Sequence, residues 1–263
     1  MEVASPRSLD EALRVKAEHP DAVPIQGGTD VMVELNFDRR RPELLLNLNE
    51  VEELRGWSRD NGSVRLGAGL TYTEAMQQPL AGLLPALAEA SRTVGSPQIR
   101  NRGTIGGNLG TASPAGDALP PLLVEGAEVE LASVRGTRTL PLPEFLVGPK
   151  RNAAAPDELI LAVRVEPSGA PQTFMKIGPR NAMVIAVSSL AVLADPQRRE
   201  IRASFGSCGP VVGLVTCPLD GAESLPELVA AAASPIDDVR GTATYRRHSL
   251  QVLARRAVER CLA

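Results

Sequence analysis

The chain of 263 residues predicts an α+β fold in three parts: two packed subdomains over residues 1–53 and 54–168, and a small C-terminal α+β domain over 169–263. Three observations carry this. Residues 8–47 read as helix, strand, helix, strand, the pattern of a small parallel layer. Asn61-Gly62, set between two apolar runs, is a hairpin signal that starts a largely antiparallel sheet. From Gln172 the pattern changes to long strands followed by helices, which puts a domain boundary near 167–172.

Ser8-Leu9-Asp10-Glu11 reads as a capping box that opens a helix to about His19, with Leu9, Ala12, Leu13 and Ala17 on one face. Ala22 to Ile25 is a short buried strand, Val31 to about Phe37 a second helix, and Glu43 to Asn47 a second buried strand. Leu54 to Arg59 and Ser63 to Gly69 flank the hairpin turn, Thr71 and Glu74 form another capping box, and Leu83 to Val94 has apolar residues at helical spacing. Strands follow at Val129 to Val134, Thr137 to Leu142 and Leu159 to Val165, with Gly148 to Pro156 a polar loop. The last part offers strands at Phe174 to Ile177, Met183 to Leu193 and Glu200 to Phe205, then helices near Leu219 to Ala233 and Arg246 to Leu262.

Two glycine segments stand out. Gly95 to Pro120 is punctuated by glycine and proline, and its Thr104-Ile105-Gly106-Gly107-Asn108 looks unlike a helix or strand interior. Paired glycines there would allow positive φ and bring backbone N–H groups close to a ligand, while Thr104, Asn108, Thr111 and Ser113 add short polar side chains. The second segment, Gln26-Gly27-Gly28-Thr29-Asp30, lies between a strand and a helix N-terminus and reads as a pyrophosphate loop. Its rival reading is a turn that uses glycine for sterics, with Thr29 or Asp30 as the helix cap. It lacks the third glycine of G-x-G-x-x-G and the Gly-Lys-Ser/Thr of a P-loop, so another phosphate-binding design is required.

Charge and cysteine usage bound the rest. A net charge of −3 argues against nucleic-acid binding, and Arg39-Arg40-Arg41 and Arg246-Arg247 read as solvated surface among acids. The longest nearly apolar run, Val184 to Ala194, is short for a membrane span, so a cytoplasmic protein is expected. Cys208, Cys217 and Cys261 lack metal-ligand spacing and read as reduced structural thiols, which leaves no ligand set for an iron–sulfur cluster or a catalytic zinc.

With both segments placed, the chain resembles the flavin subunit of the molybdenum hydroxylases, the group of xanthine dehydrogenase and aerobic carbon monoxide dehydrogenase. The resemblance rests on Gln26 to Asp30, on Arg100 to Asn108 continued through Ser113-Pro114-Ala115-Gly116-Asp117, and on Tyr245-Arg246-Arg247 opening the last helix. It implies a two-subdomain FAD-binding domain of the PCMH (vanillyl-alcohol oxidase-like) type, with FAD between the subdomains and the C-terminal domain closing over the flavin. By position, Pro24, Ile25, Gln26, Gly27, Gly28, Thr29, Asp30, Val31, Thr104, Ile105, Gly106, Gly107, Asn108, Ser113 and Asp117 would touch the cofactor, Val94 would lie at the adenine, and Ile160 and Lys176 align with flavin contacts. Gly27, Gly28, Gly106 and Gly107 would offer backbone amides to phosphate, and Asp117 would accept from a ribose or ribityl hydroxyl. A helix cap for Asp117 and a solvent-facing strand lysine for Lys176 are the alternatives. Val94 stands where relatives offer an aromatic, Asn181 and Val184 replace an arginine and an acid, and Val211 to Leu219 lacks an expected arginine.

The implied function is an electron-exit subunit. A large partner subunit would hold the molybdenum cofactor, a small one the 2Fe-2S clusters, and FAD on this chain would pass electrons to NAD+, dioxygen or another acceptor. No acid/base catalytic residue and no metal site is expected on this chain. A stand-alone flavoprotein oxidoreductase and a non-catalytic FAD-binding module are the rivals.

Overall fold

The computed structural model describes residues 1–263. Glu2–Ala4 (β1), Val23–Ile25 (β2) and Leu44–Asn47 (β3) form a parallel sheet in the order β1-β3-β2. β1 has no expected counterpart, because three residues with two exposed carry no periodic signal; pairing with β3 alone makes it a strand. The Leu9–Glu18 helix buries Ala12 and Leu13 against β3's Leu46. Its cap is half the expected box. Ser8 Oγ accepts from the Glu11 N–H (3.2 Å), but Glu11 Oε2 accepts from the Arg7 N–H (2.9 Å).

The second sheet contains Trp57–Asp60 (β4), Ser63–Gly67 (β5), Glu128–Ser133 (β6) and Gly136–Pro141 (β7). Leu146–Gly148 (β8) and Arg151–Asn152 (β9) then make a small hairpin where the sequence suggests plain loop, and Leu159–Val165 (β10) returns to the sheet centre. The order is β4-β5-β10-β6-β7, antiparallel throughout. Asn61 and Gly62 have φ of 48° and 88°, the two left-handed residues that a tight hairpin turn requires.

Alternation along these strands builds two cores. Val64, Leu66, Val129, Leu131, Val163 and Val165 face helical Leu87, Ile105, Leu109, Leu119 and Leu122. Leu159, Leu161 and Ala162 belong to the core of the N-terminal layer. Each buried leucine contributes about 1.5–3 kcal/mol, so the two layers are locked through β10.

Gln172–Ile177 (β11), Ser188–Asp195 (β12), Glu200–Gly206 (β13) and Gly213–Pro218 (β14) form an antiparallel meander, with the Leu225–Ala232 and Ala243–Leu262 helices packed on its apolar face. β14 has no counterpart among the strands expected from the sequence. The strand expected from Met183 starts at Ser188, because Met183 is left-handed (φ 52°) and the Arg180 guanidinium holds the turn through Ala182 O (3.0 Å) and Met183 O (2.5 Å).

Arg246, read as solvated, is fully buried. Its guanidinium donates to Val187 O (2.5 Å), Ser207 O (2.8 Å) and Asp238 Oδ1 (2.6 Å), and a planar donor fork matched this way can leave water. The three cysteines are free and buried, and burial pushes the Cys208 thiol up to about 12 and the Cys261 thiol to about 11. No helix is long and apolar enough to cross a membrane.

The meander docks on the Pro85–Thr93 helix, where Ala86 and Ala90, one turn apart, let Phe174, Ala191 and Leu193 approach. Glu89 completes the joint, accepting from Thr173 Oγ1 and the Phe174 N–H (2.8 Å each) and from Arg260 Nη2 (2.7 Å).

A cleft between two glycine segments

Both glycine segments face one cleft of about 520 Å³, within the roughly 300–1,000 Å³ usual for small-molecule sites. They touch. A Cβ placed on Gly27 would lie 2.0 Å from Arg102 O, so only glycine permits this approach. Arg102 Nη2 donates to Gln26 O (3.2 Å) and Asn49 Oδ1 (3.1 Å), and the Thr111 hydroxyl donates to Asp30 Oδ2 (2.8 Å).

The backbone donors of the two segments differ in their fate. The N–H groups of Gly27, Gly28, Thr29 and Asp30 donate to no group of the protein, and Gly28 at φ 73° turns the run into a concave nest. An anion is the natural partner of such a run. Asp30 occupies the cap position of the Val31–Asn36 helix without a side-chain cap bond, its carboxylate being bound to Thr111 instead.

The other segment corrects the sequence expectation. Ile105–Thr111 is an α-helix capped by Thr104, and its glycines are helical rather than left-handed. Ile105 N–H donates to Leu70 O (2.9 Å), Gly106 N–H to Ala68 O (2.8 Å) and Gly107 N–H to Thr104 Oγ1 (2.9 Å). These amides are therefore occupied. Gly106 serves proximity, since a Cβ there would sit 2.5 Å from the Ala68 Cβ and 2.6 Å from its carbonyl oxygen. Gly107 is the opposite case: a Cβ would meet only Thr104 Oγ1, at 3.1 Å, and otherwise project into open space.

Of the expected residues, Pro24, Ile25, Gln26, Gly27, Gly28, Thr29, Asp30 and Val31 line the cleft, as do Thr104, Gly106, Gly107, Asn108 and Ile160. Ile105 points its side chain into the core, and Val94 packs against that core. Ser113, at the turn after the helix, accepts from the Ala115 N–H (3.3 Å) and does not line the cleft.

Asp117 and Lys176 also lie off the cleft lining and find each other. Lys176 Nζ meets Asp117 Oδ2 at 2.6 Å and donates to Thr93 O (3.2 Å), with side chains 4% and 10% exposed. The solvent-facing reading of Lys176 is thus overturned, and the cap of the following Leu119–Val124 helix is Ala118, without a side-chain bond from Asp117. Burial raises the Asp117 carboxyl, with the Lys176 charge acting against it. Asp117 Oδ1 and Asn108 Oδ1 are both buried and unpartnered.

The remaining wall escapes sequence reading. Tyr72 forms part of it, and the β8–β9 hairpin supplies Lys150 and Asn152, which hold the Ile105–Thr111 helix through Lys150 N–H to Ala112 O (3.0 Å) and Asn152 Nδ2 to Gly110 O (2.9 Å). Lys16 lines the cleft with its ammonium donated to Pro20 O (2.6 Å) and Ala22 O (2.7 Å), and burial lowers its pKa. Arg40 and Lys150 approach Glu34 on the cleft lining at 3.8 and 3.6 Å. The one available signal was the spacing of Gly67 and Gly69, whose absent side chains let the chain pass beneath Leu54 and Gln26 on its way to Ala68 and Tyr72.

A nest of bare N–H groups, with the polar side chains of Thr104 and Asn108 lining the same cleft, suits a ligand that is anionic in one part and hydroxylated in another. That is the class of module that holds an extended, phosphate-bearing cofactor. Residues 1–167 match the family described as the FAD binding domain in molybdopterin dehydrogenase, and the chain belongs to that family. The xanthine dehydrogenase FAD-binding subunit of Escherichia coli O157:H7 is 28% identical over 97% of this chain and 94% of that protein. The carbon monoxide dehydrogenase medium chain of Afipia carboxidovorans is 30% identical over 98% and 95%. A crystal structure of Cu,Mo-CO dehydrogenase in its cyanide-inactivated form contains a chain that superposes with a TM-score of 0.92 at 26% identity, covering 99% of this chain and 97% of that one. The chain is therefore an FAD-binding subunit of the molybdenum hydroxylase type, an oxidoreductase component with the PCMH-type fold.

Proposed function

We propose that this chain takes electrons from 2Fe-2S clusters on a small partner subunit and passes them to NAD+, dioxygen or another acceptor, while a large partner subunit holds the molybdenum cofactor. The supporting observation is the run of unpaired N–H groups from Gly27 to Asp30, held by the Arg102 and Thr111 contacts against the helix that begins at Thr104. Bound FAD supplies the redox chemistry, accepting and releasing electrons.

The chain's own residues bind and orient. Gly27, Gly28, Thr29 and Asp30 donate N–H groups to the diphosphate, and Pro24, Ile25, Gln26 and Val31 shape the walls beside it. Thr104, Gly106, Gly107 and Asn108 close the opposite wall, and Ile160 adds an apolar contact. Asp117, held by Lys176, offers Oδ1 to a hydroxyl. Residues 1–168 hold the cofactor and residues 169–263 cover it, brought into place by the Asp117–Lys176 pair. The complex works in the cytoplasm, a reading supported by three thiols that stay unpaired.

Tagged chain purified from its native host tests this. It should be yellow, lose its flavin absorbance band on reduction by NADH or by its partners, and bring down proteins with iron–sulfur absorbance. Yellow protein that turns over without such partners would make it a self-contained flavoenzyme; protein that binds FAD but is never reduced would make it a binding module.

A further inference from the structure

The floor of the cleft carries a side chain that neither glycine segment explains. Tyr72 opens the Tyr72–Ala75 helix, whose start is fixed by a reciprocal cap: Thr71 Oγ1 accepts from the Glu74 N–H (3.2 Å) and Glu74 Oε2 accepts from the Thr71 N–H (2.7 Å). Thr71 also bridges to Thr104, and the Tyr72 N–H donates to Gly103 O (3.1 Å), so this turn is tied to the residues that begin the second glycine segment. The ring belongs to the main core and lies against Gly103, where a Cβ would come 3.1 Å from its Cδ2 and Cε2.

Only 5% of Tyr72 is exposed, and what remains opens into the cleft. No hydrogen bond within the protein engages its hydroxyl, and that oxygen is not sealed from solvent as Asn108 Oδ1 and Asp117 Oδ1 are. Phenylalanine would serve the packing equally well, and buried tyrosines ordinarily pair their hydroxyl. The missing partner must therefore come from whatever fills the cleft. Burial, then the Asp117 and Asp30 carboxylates, push the phenol far above its ordinary pKa, so it stays a protonated donor.

The Asp117 carboxylate also selects the partner, because an anion beside it would be repelled. The diphosphate has its own nest at residues 27–30. Asn108, one helical turn from Thr104, lines the same cleft as Tyr72. A phenol that donates and an amide that can do both match a polyol, whose hydroxyls both give and receive. We infer that Tyr72 is a further cofactor-binding residue, donating its hydroxyl proton to a neutral oxygen of the ribityl chain of FAD. This rests on the cleft being the FAD site.

The test is Tyr72→Phe in the purified full chain, with FAD affinity read by quenching of flavin fluorescence and ADP affinity by calorimetry. ADP carries the diphosphate but no ribityl chain. The FAD dissociation constant should rise about three- to tenfold, the worth of one hydrogen bond, with ADP affinity and the thermal midpoint of the flavin-free chain unchanged. Unchanged FAD affinity would overturn the inference, as would an equal loss for ADP or a lowered midpoint of the flavin-free chain. Wild-type chain that fails to bind FAD would instead overturn the proposed function.

Discussion

Glycine has three separate uses around the cleft, and each carries its own expectation. Gly28 is left-handed, Gly27 and Gly106 permit backbone contact, and Gly107 keeps space empty. Gly27→Ala should cost about 1–3 kcal/mol of stability, the range for forced overpacking, and lose flavin as well, because Arg102 O must move. Gly107→Val should leave the unfolding midpoint near that of wild type, since its Cβ meets only Thr104 Oγ1, yet remove bound flavin by filling the cleft. Thermal melts read beside flavin-to-protein absorbance ratios check both. Full flavin occupancy in Gly107→Val would mean that nothing passes over that residue.

Between elements, the buried Arg246 guanidinium joins the Ala243–Leu262 helix to the segment before β12, to the end of β13 and to the Asp238 turn. Asp238 accepts from Arg240 Nη2 (2.6 Å) and the Arg240 N–H (2.8 Å) as well as from Arg246. Arg240 first, and then Arg246, hold its carboxyl well below the usual carboxylate range. A depressed folded pKa gives stability that is present above the unfolded value of about 3.9 and is lost as pH falls through the folded value. Asp238→Asn should therefore melt below wild type at pH 7, with the gap closing below about pH 4. A gap that stays constant from pH 7 to pH 3 would show that the carboxylate charge is not what holds the turn.

Across the whole molecule, the Asp117–Lys176 pair links the turn after the second glycine segment to β11 of the meander. Because both side chains are buried, removing one partner strands a charge away from water. Lys176→Met should cost about 3–5 kcal/mol in urea unfolding and weaken FAD binding, and adding Asp117→Asn should restore part of the stability. A double variant no more stable than Lys176→Met alone would argue that packing of the lysine stem, not charge, makes the junction.

The architecture was legible wherever a local rule sufficed. Asn61-Gly62 fixed a hairpin, Thr71 and Glu74 a helix start, and the alternation in β10 a buried strand. The two glycine segments were legible as a pair, and the motif from Arg100 to Asp117 pointed to FAD. The helix at Ile105–Thr111 was not, because two adjacent glycines cost roughly 2 kcal/mol of helix propensity and only burial of Ile105 and Leu109 under β5 and β10 outweighs that. The solvent-facing alternative for Lys176 and the solvated reading of Arg246 failed for a related reason: a sequence lists charges, whereas burial depends on partners 59 and 8 residues away.

By itself, then, the order of residues determined which strands and helices could form, which family the chain resembles, and that two glycine segments were candidates for one ligand. Only the tertiary structure decided that the first turn keeps its N–H groups free while the second commits them to Leu70, Ala68 and Thr104. It also decided that Tyr72 faces the cleft with an unclaimed hydroxyl. The physical reason is that a hydrogen bond's availability depends on every neighbour in space, and those neighbours come from segments that sequence proximity does not connect.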